Sequence, residues 1–199
     1  MSELWLVRHG QTPWNREGRL TGWTDVPLTR LGQGQARALS VWLRAERFCG
    51  VWASDLQRAL HTARLAYGEP QEAVADLREI NFGQLEGLSW AGLPEEHKTA
   101  LLAFEGFQAP GGESTAQLRQ RIYRFLGGLP AGRHLIFTHG GVLRMLLRDL
   151  GQDRWVPPCA VVGLDWQSRQ VRFVREPAGP DLPQAQQPGG ARVCPPKPV

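Results

Sequence analysis

Two histidines and two arginines stand near the ends of short apolar runs in the sequence. Arg8 and His9 follow the first run, Arg58 comes shortly after the second, and His139 follows the third. The three runs are Leu4–Val7, Val51–Ala53 and Leu135–Phe137. Runs of this kind are typical of strands buried on both faces of a parallel sheet. Because ligands bind at the carboxyl ends of such strands, we expect the four side chains to converge on one crevice.

The arginines indicate that the crevice binds a phosphoryl group. Two guanidinium groups can each bind phosphoryl oxygens through paired N–H groups. Helices predicted to begin near Ser54 and Gly140 direct further backbone N–H groups at the same anion. The sequence contains no Gly-x-x-x-x-Gly-Lys motif, so it gives no support to a nucleotide-binding loop.

The histidines and one carboxylate supply the chemistry. A neutral imidazole can attack phosphorus directly while its other N–H is held by a carbonyl group, so His9 is the candidate nucleophile. His139 is expected to supply a cationic donor to the phosphoryl oxygens in the transition state. Glu79 has apolar neighbours that raise the pKa of a carboxyl group. It is the candidate acid for the leaving oxygen and the candidate base for water.

Other interpretations of these residues stay open at this point. Arg58 could be a solvated helix residue or an ion-pair partner of Asp55. Glu79 could be a surface carboxylate paired with Arg78. Trp23, which lies in the polar loop after the first strand, could wall a pocket or only pack against its neighbours.

The elements that must position these residues follow from hydrophobic periodicity. Strand-like runs alternate with helical patterns, which predicts an α/β domain with a mostly parallel sheet. A helix is expected after an N-cap at Thr29, and another after Ser54, which forms a capping box with Gln57. The first of these helices is predicted to bury Leu31, Ala38, Leu39, Trp42 and Ala45.

Three further features complete the predicted domain. A helix opens with a capping box at Ser114 and Gln117, and a fourth helix begins at Gly140. The runs Val161–Trp166 and Val171–Val174 predict an antiparallel hairpin at one edge of the sheet. The stretch from Gly92 to Pro110 shows no clear pattern.

Composition narrows the class of protein. The chain has 199 residues, which suits one domain, and its 23 basic and 19 acidic residues give a net charge of only +4 without basic blocks. Nucleic acid is therefore not an expected partner, whereas a small anion is. No apolar run spans a membrane and no signal peptide is present, so we expect a cytoplasmic protein without a membrane partner. No His and acid spacing predicts a metal site.

The end of the chain differs from the rest. The residues from 176 to 199 hold seven of the fifteen prolines and show no hydrophobic period. This composition predicts a disordered tail, which leaves residues 1–175 as a single domain.

Five segments of the chain resemble the motifs of the histidine phosphatase, or phosphoglycerate mutase-like, superfamily. They occur in the order of the family and cover residues 3 to about 175. The segments are Arg8-His9-Gly10-Gln11-Thr12-x-x-Asn15, Ser54-x-x-x-Arg58-Ala59-x-x-Thr62-Ala63, Leu77-Arg78-Glu79-x-x-Phe82-Gly83-x-x-Glu86-Gly87, Pro110-Gly111-Gly112-Glu113-Ser114 and Thr138-His139-Gly140-Gly141.

The resemblance implies a fold and a role for each site residue. The fold is a three-layer α/β/α sandwich with helices on both faces of the sheet, and a lid segment at about residues 84–112. His9 becomes phosphorylated, Glu79 is the proton donor, and no metal or cofactor is needed. The phosphoryl group is held by Arg8, Arg58 and His139, and the substrate pocket is completed by Gln11, Asn15, Thr21, Gly22 and Gly140.

The resemblance also bears on the reaction. Gln11 stands where mutases of the family usually have Glu, and the stretch from Glu79 to His139 is short compared with theirs, which makes mutase activity less expected. Leu85 stands where many relatives carry Trp. The overall pattern is most similar to bacterial α-ribazole phosphatases, so we expect a phosphomonoester hydrolase, with α-ribazole 5′-phosphate as one candidate substrate, that acts as a monomer or homodimer. A cofactor-dependent phosphoglycerate mutase and a non-catalytic phosphate-binding module are the alternatives.

Overall fold

Six strands form one sheet in this computed structural model, which describes residues 2–177. In chain order the strands are β1 (Ser2–Arg8), β2 (Gly50–Ser54), β3 (Glu72–Val74), β4 (Gly132–Thr138), β5 (Val161–Asp165) and β6 (Gln170–Arg175). They lie side by side as β3-β2-β4-β1-β5-β6. The first four strands in this order are parallel to one another, β5 is antiparallel to β1, and β6 is antiparallel to β5. The predicted mostly parallel sheet with an antiparallel hairpin at one edge is confirmed. Residues 178–199 of the predicted tail lie outside the described residues.

Six α-helices surround this sheet within the described residues. They are α1 (Pro13–Arg16), α2 (Arg30–Leu43), α3 (Gln57–Ala66), α4 (Glu95–Ala103), α5 (Thr115–Gly128) and α6 (Gly140–Asp149). Thr29 caps α2, and Ser114 forms a reciprocal capping box with Gln117 at the start of α5, as predicted. The predicted cap at Ser54 is wrong. Helix α3 begins at Gln57, whose N–H binds the Asp25 carboxylate at 2.9 Å, while Ser54 still belongs to β2.

Side chains of β1 alternate between two hydrophobic clusters, one on each face of the sheet. Leu4 and Leu6 pack in the cluster that includes residues of α5 and α6. Trp5 and Val7 pack in the cluster that includes residues of α2 and α3. Full burial of each such side chain contributes about 1.5–3 kcal/mol, so both helical layers are held to the sheet. The predicted three-layer α/β/α arrangement is confirmed.

The buried face of α2 matches the predicted one only in part, because Leu39 is buried and Trp42 packs against the same cluster but the other three predicted residues do not. Leu31 is 58% exposed, and Ala38 and Ala45 are exposed as well. The face in contact with the protein consists of Gly32, Ala36, Leu39 and Leu43. A Cβ atom at Gly32 would lie only 2.7 Å from the backbone nitrogen of Gln11. This close approach of the helix to the segment after β1 determines which face is buried.

The segment at 84–112, predicted as a lid, contains α4, which the sequence pattern missed. Leu93, Leu101, Phe104 and Phe107 of this segment are buried in the cluster that also holds residues of α6. Arg144 of α6 donates to the carbonyl oxygens of Leu101 at 2.8 Å and Leu102 at 2.5 Å.

Among residues 2–177, no helix is long and apolar enough to cross a membrane.

Candidate active site

Neighbouring strand ends bring the five predicted catalytic side chains together. The rings of His9, after β1, and His139, after β4, have centroids 5.2 Å apart. Arg58 donates from Nε to His139 Nδ1 at 3.2 Å. Arg8 lies against the start of α6, and the Glu79 carboxylate binds the Gly141 N–H of the same helix at 2.8 Å. The predicted convergence at the carboxyl edge of the sheet is therefore present.

His9 is held as a neutral ring with one free nitrogen. Its Nδ1 lies 2.7 Å from the Gly10 carbonyl oxygen, which can only accept, so Nδ1 carries the hydrogen. Burial lowers the pKa of His9 well below its ordinary value, and the charges of Arg58 and Arg8 lower it further. The lone pair on Nε2 is therefore available for attack on phosphorus at neutral pH.

His139 is bonded to the protein through both ring nitrogens. Nδ1 accepts from Arg58, and Nε2 lies 2.8 Å from the Ser54 hydroxyl oxygen. Burial, with the charge of Arg58 next in size, holds the pKa of His139 well below its ordinary value. In the free protein His139 is therefore held neutral, because a fully buried ring beside a guanidinium disfavours a second positive charge. The expectation of a cationic donor concerns the transition state with a phosphoryl group bound, and it stays a prediction.

Arg58 is neither solvated nor paired with Asp55. Its side chain is fully buried and donates to the carbonyl oxygens of Thr24 at 3.0 Å and Gly22 at 2.6 Å. Asp55 instead binds Arg78, with 2.7 Å between Oδ1 and Nε. Burial lowers the pKa of Arg58 to about 10, so the guanidinium remains a cation at neutral pH.

Arg8 has an unused donor. One terminal nitrogen donates to the Val156 carbonyl oxygen at 2.5 Å, but Nε is the single buried polar side-chain atom among residues 2–177 without a hydrogen-bond partner. An unpaired buried donor costs about 1–3 kcal/mol, more when it is charged. A Cβ atom at Gly140 would lie 3.1 Å from this nitrogen, which places it beside the first residue of α6. An anion bound at this helix end would give the donor an acceptor.

Glu79 is buried, and its surroundings have opposing effects on the pKa of its carboxyl group. Burial raises the pKa of the carboxyl group, while hydrogen bonds from the Gly141 and Ile80 N–H groups and the charges of Arg58 and Arg8 lower it. Burial is the largest of these effects, so the net pKa is raised. Because Arg78 is bound to an aspartate, the surface pairing with Glu79 does not occur.

The predicted pocket residues divide into two groups. Gly22 touches Arg58 through its carbonyl oxygen, and Gly140 lies against Arg8. The other three side chains are engaged elsewhere. Gln11 Oε1 accepts from Thr29, Asn15 Oδ1 accepts from the Thr12 N–H at 3.2 Å, and the Thr21 hydroxyl donates to Arg19.

Arg121 and Glu86 contact the segments that form the site. Arg121 was not among the predicted site residues, and Glu86 was part of a motif without a predicted role. Arg121 of α5 donates to both carboxylate oxygens of Glu113 at 2.8 Å and to the Glu79 carbonyl oxygen at 2.8 Å. Glu86 accepts from the backbone N–H groups of Trp23 and Thr24, each at 2.7 Å. The sequence offered a signal for Arg121, because it lies three residues after the buried Leu118 and so on the buried face of an amphipathic helix.

Trp23 lies beside the candidate acid. Its indole N–H donates to the Glu79 carbonyl oxygen at 2.9 Å, and the Arg78 guanidinium lies 4.7 Å from its ring centroid. The hydrogen bond anchors the ring to the site, and the ring is still 37% exposed to solvent.

Among the described residues, no group of three or more His, Cys, Asp or Glu side chains is arranged to hold a metal ion.

The fold and the buried cluster of two histidines and two arginines agree with the superfamily that the sequence motifs resemble. The chain belongs to the histidine phosphatase superfamily (branch 1), which residues 4–176 match. This result confirms the superfamily resemblance of the sequence motifs.

Individual relatives agree with this assignment. The chain is 36% identical over 167 residues to "2,3-bisphosphoglycerate-dependent phosphoglycerate mutase 2" of Gloeobacter violaceus, covering 75% of this chain and 76% of that protein. It is similar to the crystal structure of TTHB049 from Thermus thermophilus, with a TM-score of 0.82, 50% identity and coverage of 87% of this chain and 99% of that one. A crystal structure of phosphoglycerate mutase from the same organism gives a TM-score of 0.81, 52% identity and coverage of 86% and 97%.

Proposed function

We propose that this protein is a phosphomonoester hydrolase that acts through a phosphohistidine at His9 on a small phosphorylated metabolite. The observation that carries the proposal is the buried, unpartnered Nε of Arg8 beside the start of α6. This donor, the remaining N–H groups of Arg58 and the helix end form a positive site next to a neutral imidazole. A phosphoryl dianion is the group that fits these donors.

The first half of the reaction forms the phosphohistidine. The Nε2 lone pair of His9 attacks phosphorus while the bond from phosphorus to the ester oxygen breaks. Glu79, whose pKa is raised by burial, carries a proton once the ester is bound and gives it to the leaving oxygen. The guanidinium groups of Arg8 and Arg58 bind the equatorial oxygens, where charge is spread in the transition state.

The second half releases phosphate. A water molecule attacks phosphorus, gives a proton to the Glu79 carboxylate, and the bond between phosphorus and His9 Nε2 breaks. His9 returns to its neutral form with the hydrogen still on Nδ1, bound to Gly10. Glu79 is protonated again, so the site is ready for the next ester.

The charges of the segment at 84–112 favour hydrolysis of esters without a second anionic group. This segment has one basic residue, Lys98, which pairs with Glu95 at 3.3 Å, against four acidic residues. A phosphoglycerate carries a carboxylate beside its phosphoryl group, and the segment has no unpaired cation for it. We therefore propose a substrate with a neutral remainder, of which α-ribazole 5′-phosphate is one candidate.

A phosphoglycerate mutase is the second candidate, because relatives of the chain carry that name. A non-catalytic phosphate-binding module is the third. One experiment separates them: the full chain is incubated in chelator with p-nitrophenyl phosphate, with α-ribazole 5′-phosphate, or with 3-phosphoglycerate plus a catalytic amount of 2,3-bisphosphoglycerate, and products are followed by phosphorus NMR. Inorganic phosphate from the first two esters supports the hydrolase. Isomerised phosphoglycerate without phosphate supports the mutase, and no turnover supports the binding module.

A pair of variants makes this test specific. His9→Gln removes the nucleophile and is expected to abolish phosphate release. His61→Gln changes an exposed histidine of α3 and is expected to keep full activity. Equal activity in both variants contradicts the assignment of His9.

A further inference from the structure

Ser54 lies against the second histidine of the site. It is the last residue of β2, it is fully buried, and its hydroxyl oxygen lies 2.8 Å from Nε2 of His139. The Leu56 N–H approaches the same oxygen at 3.4 Å, which ties the hydroxyl to the turn that leads into α3. The sequence pattern predicted Ser54 as a helix cap, but its hydroxyl instead contacts His139, which follows the neighbouring strand β4.

The hydrogen on the His139 ring is determined by its two partners. A guanidinium group has donors and no acceptor, so Nδ1 of His139 must accept the hydrogen bond from Arg58 Nε. A neutral ring then carries its hydrogen on Nε2, which donates to the Ser54 hydroxyl oxygen. His9 has the opposite arrangement, because its Nδ1 donates to the Gly10 carbonyl oxygen.

We propose that Ser54 is a positioning residue that, together with Arg58, fixes His139 as the neutral Nε2–H tautomer before substrate binds. The inference deepens the proposed function, on which its role in turnover rests. A positive ring 5.2 Å from His9 weakens the nucleophile, and a hydrogen on Nδ1 opposes the donor of Arg58. The hydroxyl of Ser54 prevents rotation of the ring by giving Nε2 an acceptor inside the protein.

The tautomers are measured directly by NMR. Long-range proton–nitrogen correlation spectra of the uniformly 15N-labelled full chain, without ligand and at neutral pH, distinguish protonated from unprotonated ring nitrogens. His9→Gln and His139→Gln assign the two rings by loss of signals. We expect hydrogen on Nε2 for His139 and on Nδ1 for His9. Hydrogen on Nδ1 of His139, or on both of its nitrogens, overturns the proposal whether or not the protein hydrolyses esters.

Two substitutions at the same position test the role in turnover. Ser54→Ala removes the acceptor and is expected to lower kcat about tenfold, the effect of one lost hydrogen bond, with a smaller change in KM. Ser54→Thr keeps the hydroxyl and is expected to retain both the Nε2–H signal and most of kcat. Ser40→Ala, on the exposed side of α2, controls for loss of a serine hydroxyl.

The outcomes separate the two proposals. If Ser54→Ala keeps the wild-type kcat and the wild-type His139 signals, Ser54 is not a positioning residue. If the wild-type chain hydrolyses no ester but shows the expected tautomers, the proposed function fails while the tautomer assignment stands. If Ser54→Ala does not fold, the spectrum of the wild-type chain still decides the assignment.

Discussion

Gly141→Ala is the sharpest test of the position of the candidate acid, because it removes no catalytic side chain and displaces only the Glu79 carboxylate. A Cβ atom at Gly141 would lie 3.0 Å from Cδ of Glu79 and 3.2 Å from its Oε2. The carboxylate must therefore move, and it loses the 2.8 Å hydrogen bond from the Gly141 N–H. The expected result is a misplaced acid in a site that otherwise retains its phosphate-binding groups.

The magnitude follows from two opposing effects. Loss of a hydrogen bond to a charged group costs about 1.5–3 kcal/mol, whereas replacing glycine by alanine inside a helix gains up to about 1 kcal/mol. The variant is therefore expected to lose about 0.5–3 kcal/mol of unfolding free energy. A positioned acid contributes about 100-fold to 10,000-fold in rate, so kcat for an alkyl phosphate is expected to fall at least 100-fold. An aryl phosphate with a good leaving group needs the proton less and is expected to slow less.

Gly34→Ala is the matched control for this prediction. Gly34 lies in α2, and an added Cβ there meets no atom within 4 Å. It gains the same helix propensity without touching the site, so activity is expected to stay at the wild-type level. Steady-state kinetics with alkyl and aryl phosphates and urea unfolding measure both variants. Equal kcat for the alkyl ester in the two alanine variants refutes the placement of Glu79.

Three further predictions concern the acid, its support and the pH dependence. Glu79→Gln is expected to slow esters with poor leaving groups more than esters with good ones, and equal slowing in steady-state kinetics contradicts its acid role. Arg121→Ala leaves the Glu113 carboxylate unpaired and is expected to lower the unfolding free energy by about 3–5 kcal/mol in urea unfolding. Arg124→Ala, three residues along α5 with a side chain 66% exposed, is expected to lower it by less than about 1 kcal/mol. Similar losses in the two variants contradict a stabilising role of the Arg121 ion pair. Because the folded state holds the pKa of His139 well below 6.5, the unfolded chain binds a proton that the folded chain does not, and the unfolding free energy falls by about 1.4 kcal/mol for each pH unit below 6.5. Because the pKa of His9 is lowered in the same way, His9 adds a slope of the same sign, and His139→Gln is expected to reduce the total slope in urea unfolding by the His139 share. His61→Gln is expected to keep the wild-type slope; an unchanged slope in His139→Gln contradicts the buried neutral ring.

The convergence of the site could be predicted because it depends on local sequence and one topological rule. Arg8, His9 and His139 follow strands whose apolar runs are unmistakable, and parallel strands place their carboxyl ends at one edge. The β5–β6 hairpin was visible for the same reason, since two runs flank a short polar turn. Such features need no knowledge of distant contacts.

Features that depend on distant contacts escaped prediction. Ser54 reads as a helix cap locally, but its hydroxyl bonds to His139, 85 residues away in the sequence. Leu31 fits a helical stripe, yet the close contact of Gly32 with the segment after β1 turns it to solvent. Strand β3 has three residues and little burial, so no apolar run identified it.

The neutrality of His139 also required the structure. Residue spacing alone indicated a second histidine near a phosphoryl group, and the chemistry of the transition state then favoured a cation. The pKa depends on the full burial of the ring and on Arg58, which approaches it from α3. Neither the burial nor the direction of that hydrogen bond can be read from the order of residues along the chain.

The most direct test of the account is to trap the phosphorylated enzyme. The full chain is mixed with an ester labelled on phosphorus with 32P, quenched within the first turnover, and the peptides are mapped. We expect an acid-labile, alkali-stable phosphoryl group on the peptide that carries His9, formed and lost as fast as turnover requires, and absent in His9→Gln. Full turnover without this label, or a label on another residue, contradicts it.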